Sequence, residues 1–159
     1  MMDQRPLRLG DIVDDYCTRE RRITNHAIVV IAGGLATRMK PLTAVALPDV
    51  SDDFRVWTVR IRPGIYFADD PAFKGRPREL TAQDYVYSIK RFADPAVMSP
   101  SWGEIEELGL IGLNEYRAEV RKRGIPFDYD KPIEGLKALD RYTLQFKVVE
   151  TRPRLMENF

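Results

Sequence analysis

Reactive side chains are scarce in this sequence: among its 159 residues there is one cysteine and one histidine. Cys17 has no second cysteine for an internal disulfide and cannot build a thiolate metal site alone, so the compartment stays open. A nucleophilic triad or dyad would have to gather Cys17 and His26, and no such arrangement is signalled, which disfavours an enzyme. Gly33-Gly34 lacks both the GxGxxG and the GxxxxGK[ST] pattern and is no phosphate loop, so no cofactor is implied. The acidic pairs Asp69-Asp70 and Asp128/Asp130 offer too few oxygens for a calcium loop and read as solvated turn residues, so no metal is implied. There is no excess of one charge either: the net charge is +1, and no global field draws the chain to nucleic acid or acidic lipid. The small basic cluster "RERR" at 19–22 lacks the neighbouring aromatics and further cations that a nucleic-acid contact needs.

Long apolar runs are missing too. The longest, "AIVVIAGGLA" at 27–36, is about half of what a membrane span requires, so no integral membrane segment is expected. A basic flank followed by a short apolar stretch has the outline of an export signal. This one begins only at Ala27, behind Asp3, Asp11, Asp14, Asp15 and Glu20, and is no convincing signal peptide. A buried strand running into a Gly33-Gly34 turn is the expectation.

What is present is an ordinary soluble composition, 44% apolar and 31% charged, at the length of one domain. From Ala44 onward the elements are well punctuated. In "SDDFRVWTVRIRPGIYF" (51–67), Trp57, Val59 and Ile61 alternate with Thr58, Arg60 and Arg62 until Pro63-Gly64, predicting a strand over 54–62 with one buried face. After the Pro/Gly/Asp-rich loop "ADDPAFKGRPREL", Thr81 and Asp84 form a variant capping box. Ala82, Tyr85, Val86, Ile89 and Phe92 follow at helical spacing, and Asp94-Pro95 ends the run. This predicts a helix over 82–93, with Lys90 and Arg91 complementing its C-terminal dipole. A second helix is expected over 112–123, ended by Gly124, its charge run a solvated face. "IEGLKALDRYTLQFKV" predicts two strands around Asp140-Arg141, with Tyr142, Leu144, Phe146 and Val148 on one face.

Taken in order, "ALPDVSDDFRVWTVRIRPGIYF", a Pro-rich loop, "LTAQDYVYSIKRFADP", an "SP" dipeptide and "GLKALDRYTLQFKV" resemble the N-terminal region of the family 5 extracellular solute-binding proteins. That family delivers oligopeptides, dipeptides and nickel chelates to ABC importers. The likeness covers about residues 44 to 155 and divides the chain into a segment 1–43 that does not match and a partial family domain, 44–159.

The resemblance implies an α+β fold, a short mixed sheet with flanking helices, forming part of lobe I of a type II periplasmic-binding-protein architecture. The opening strand is then scaffold, its arginines facing solvent or Asp52 and Asp53. The function implied is that of a non-catalytic solute-binding component, taking a peptide-like solute and an ABC permease as partners, in the periplasm. In peptide-binding members an aromatic just after the "SP" dipeptide reaches the cavity. Here Ser101 holds that position and the aromatic, Trp102, comes one later, so both are candidate ligand contacts. A tryptophan in a Pro-rich loop also serves as a packing anchor. Family members run to several hundred residues, so the chain reads as a fragment of one, and a truncated reading frame is an alternative. A cytoplasmic ligand-sensing or interaction module is another.

Overall fold

The computed structural model describes residues 29–32 and 38–158. Cys17, His26, Gly33 and Gly34 lie outside them, and with them the expected Gly-Gly turn. The strand expected within 27–36 is present as β1 (Val29–Ala32), paired antiparallel with β2 (Arg38–Pro41).

The main sheet is built from β3 (Asp49–Val50), β4 (Val56–Arg60), β5 (Leu136–Ala138) and β6 (Thr143–Lys147) in the order β3-β4-β6-β5. The α+β class holds, and every pairing in this sheet is antiparallel rather than mixed. Antiparallel neighbours suit a sheet with one covered face, because alternation then sends apolar side chains one way and polar ones the other. Trp57, Val59 and Ile61 are buried, as the alternation predicts. Opposite them in register stand Phe146 and Leu144, also buried. The Trp57 indole N–H donates to the Phe54 carbonyl at 3.0 Å, so its one polar atom is satisfied. Arg60 faces solvent as expected, 65% exposed, and pairs with Asp49 at 2.9 Å rather than with Asp52 or Asp53, while the half-buried Arg62 reaches the Ala44 carbonyl at 3.5 Å.

Helix α1 (Ala82–Ala93) occupies the predicted residues and lays Ala82, Tyr85, Val86, Ile89 and Ala93 on the core. Its first turn is closed by Asp84, whose Oδ2 accepts the Thr81 N–H at 2.7 Å and the Thr81 hydroxyl at 2.8 Å. Tyr85 hydroxyl and Thr43 Oγ1 lie 2.5 Å apart, tying the segment ahead of the sheet to the helix. Leu42, Thr43 and Ala44 are buried with it.

Helix α2 (Trp102–Leu108) was not expected from the sequence. Seven residues give too little periodicity to read, although Ile105 and Leu108 are its two buried positions and Gly109 ends it with φ 67°. Helix α3 (Leu113–Arg123) follows, starting one residue later than predicted and ending at Gly124, whose φ is 61°. Between α3 and β5, Gly135 sits where two backbones cross. A Cβ there would lie 2.2 Å from the Ile111 nitrogen and 2.6 Å from the Lys147 oxygen, so no side chain fits without moving main chain.

Candidate functional site

The candidate contacts Ser101 and Trp102 sit on the corner joining α1 to α2. Asp94 organises that corner: its N–H caps α1 by donating to the Lys90 carbonyl at 3.0 Å. Its Oδ1 accepts the Ala96 N–H at 2.9 Å, and its Oδ2 accepts the Tyr129 hydroxyl at 2.7 Å. The chain then rises to Met98, 82% exposed and in the left-handed region at φ 49°. Ser101 occupies the N-cap position of α2 without a side-chain capping bond, and is half-buried.

Trp102 is therefore not a loop residue, as its neighbouring prolines suggested, but the first residue of α2. It is partly buried against the core. The Arg117 guanidinium, delivered by α3, lies over its ring at 4.4 Å. The same Arg117 donates from Nη1 to the Ala93 carbonyl at 2.7 Å, at the end of α1. One arginine thus links three helices and covers one face of the indole, an attraction worth about 0.5–2 kcal/mol. The packing role weighed for Trp102 is real, and the ring is held rather than free to swing.

Behind this corner lies a buried cation on α1. Lys90, read from the sequence only as a charge complementing the helix dipole, is 3% exposed. Its Nζ donates to the carbonyls of Tyr129 and Lys131 at 2.7 and 2.8 Å. Burial holds its pKa below the ordinary lysine value, while nearby Asp128 and Asp130 oppose that shift. Burial, followed by the bond to Asp94, pushes the Tyr129 hydroxyl up to about 12. Tyr129 also stacks between Tyr87 and Phe127, with centroids 5.0 and 5.2 Å away. Residues 127–131 are thereby pinned to α1 by the Lys90 ammonium, the Tyr129 hydroxyl and the contact of the Tyr129 ring with Tyr87. The faint signal in the sequence was Lys90 itself: it follows Ile89 and Val86 on the apolar stripe.

No three acidic, histidine or cysteine side chains among the described residues gather as a metal site. No helix among them is long and apolar enough to cross a membrane. The corner carries the Trp102 ring and the Ser101 hydroxyl.

The fold is that of periplasmic peptide-binding proteins. The solved murein tripeptide-binding protein MppA of Escherichia coli shares it with a TM-score of 0.51 and 27% identity, over 74% of this chain and 20% of that one. An oligopeptide-binding OppA of Listeria monocytogenes, solved bound to peptide, superposes with a TM-score of 0.55 at 22% identity, over 84% of this chain and 22% of its own. The family model "Bacterial extracellular solute-binding proteins, family 5 Middle" matches residues 33–159. The chain belongs to that family. In sequence it is 32% identical over 124 residues to the periplasmic murein peptide-binding protein MppA of Escherichia coli, across 77% of this chain but 18% of that protein. It thus spans about a fifth of the length of the curated relatives it matches. Those relatives are solute-binding proteins rather than enzymes, and they are periplasmic.

Proposed function

We propose that this chain is part of the solute-capturing component of an ABC importer for peptide-like solutes, acting in the periplasm without catalysing a reaction. The observation that carries the reading is the family match over residues 33–159 joined to the shared α+β fold. In this reading residues 44–159 carry the family domain, and the family match itself begins earlier, at residue 33. The main sheet and α1 are scaffold, and the corner bearing Ser101 and Trp102 is the part turned toward solute. Trp102 would offer the ring face that Arg117 leaves uncovered, and Ser101 its hydroxyl.

Deleting the coding sequence is expected to lower uptake of radiolabelled di- to pentapeptides by the native cells, and unchanged uptake of all of them would overturn the importer reading. The 159-residue chain by itself is expected to bind peptide too weakly to measure. A clamp gains affinity by enclosing its ligand, and one wall must still meet ordering costs of about 4–15 kcal/mol. Calorimetry against a mixed peptide pool tests this, and a saturable micromolar heat lost in Trp102→Ala would show that the corner is a complete site.

A further inference from the structure

A recess lies where the Pro/Gly-rich loop ahead of α1 meets the turn between β5 and β6. It is an open cleft of about 400 Å³ whose lining includes Phe73, Arg76, Arg78, Glu79 and Arg141. That volume falls in the range of small-molecule sites, about 300–1,000 Å³.

Glu79, in the lining of this recess, and Asp84, bonded to the lining residues Arg78 and Thr81, are already engaged. Glu79 accepts the Gly64 N–H at 2.8 Å on Oε1, and Arg141 at 2.7 Å and the Tyr142 hydroxyl at 3.0 Å on Oε2. Those bonds, Arg141 foremost, hold its carboxyl below the ordinary glutamate value, so it stays ionised and committed. Asp84 is consumed by Thr81 and by Arg78 Nη2.

The arginines are not saturated. Arg141 spends Nη2 on Glu79 and Nε on Tyr142, which leaves Nη1, and its side chain is 62% exposed. Arg78 is backed by the Phe67 ring at 5.0 Å and 44% exposed. Arg76 is exposed and its side chain has no partner among the described residues. Each guanidinium carries five N–H donors in a planar fork that matches the oxygens of a carboxylate or phosphate. Arg78 and Arg141 are pre-positioned by carboxylates and aromatic rings and have little rotamer freedom left to lose, whereas Arg76 is ordered only on binding. Asp69 and Asp70, on the preceding turn, do not line the cleft.

We propose that this cleft is a binding site for a small oxyanion, a solute bearing carboxylate or phosphate groups, with Arg76 and the free side of Arg141 as its principal donors. It is independent of the peptide reading above and involves no bond making or breaking.

Titrating the 159-residue chain with inorganic phosphate and, separately, with citrate at constant ionic strength in chloride, followed by NMR of the arginine Nε–H signals, tests it. At least one anion is expected to saturate, and Arg76→Ala to weaken that binding about tenfold or more, with Arg76→Lys keeping part of it. The anion that saturates identifies the source, phosphate or carboxylate. If neither saturates, or if Arg76→Ala binds as tightly as the parent chain, the site does not exist.

Discussion

The main sheet and helix α1 meet through side chains with hardly a polar atom between them, whereas residues 127–131 meet the same helix through a buried ammonium, a hydroxyl and bare carbonyls. Trp57, Val59, Ile61, Leu144 and Phe146 are all nearly inaccessible and share one buried cluster with Tyr85, Val86 and Ile89 of the helix. Such contacts are non-directional and their strength follows area, about 25 cal/mol per Å². On the other flank the count of partners matters more than area, because a carbonyl left without its donor inside the protein costs about 1–3 kcal/mol. One flank therefore weakens in proportion to the atoms removed. The other fails locally when a single group is lost.

The largest effect is expected at the apolar flank. Trp57→Ala should cost about 3–5 kcal/mol of global stability in a urea titration, as a buried large-to-small change. A loss no greater than that of Arg60→Ala would contradict the phase of β4. Next comes Lys90→Met, expected to cost about 1.5–3 kcal/mol by stranding the carbonyls of Tyr129 and Lys131. Its mark is regional: amide exchange should accelerate in 127–131 while β4 and β6 keep their protection. Uniform acceleration would erase the contrast between the two flanks.

Smaller still, Thr81→Ala should cost about 1 kcal/mol by removing one of the donors to Asp84 at the start of α1. That cap also predicts a pH dependence. Burial alone would raise the Asp84 carboxyl, but Arg78 and Thr81 outweigh it and hold the group below its ordinary value. A carboxylate depressed in the folded state stabilises above its unfolded pKa, and that contribution is lost as pH falls through the folded one. Urea midpoints should therefore drop in acid, and Asp84→Asn should show a shallower drop than the parent chain. Arg60→Ala, which removes only the exposed pair with Asp49, should change stability by well under 1 kcal/mol.

What could be read from the sequence divides along the same line. Period-two alternation placed β4 and β6, and period 3.6 with a capping pair placed α1, because each reflects one face meeting one core. Lys90 could not be read this way. Its solvent-like identity is overruled by two carbonyls 39 and 41 residues away, and no local pattern encodes so distant a partner. Helix α2 was hidden for a different reason, its brevity: it offers two apolar positions, while the prolines just before it spell a loop. At the candidate site the sequence supplied Ser101 and Trp102. The arginine lying over that tryptophan comes from α3, where it reads as one more charge on a solvated face.

Strand β4 has a partner that is synthesised late. Thr58 and Gln145 are neighbours across the sheet yet 87 positions apart along the chain. At translation speeds of about 5–20 residues per second, roughly 4–17 s separate the appearance of the two strands. For that interval β4 has only β3 and Ala44 to pair with, and its β6-facing edge is open to any other extended segment. Chaperone occupancy on stalled nascent chains should accordingly rise once β4 leaves the ribosome and fall only after β6 has followed it.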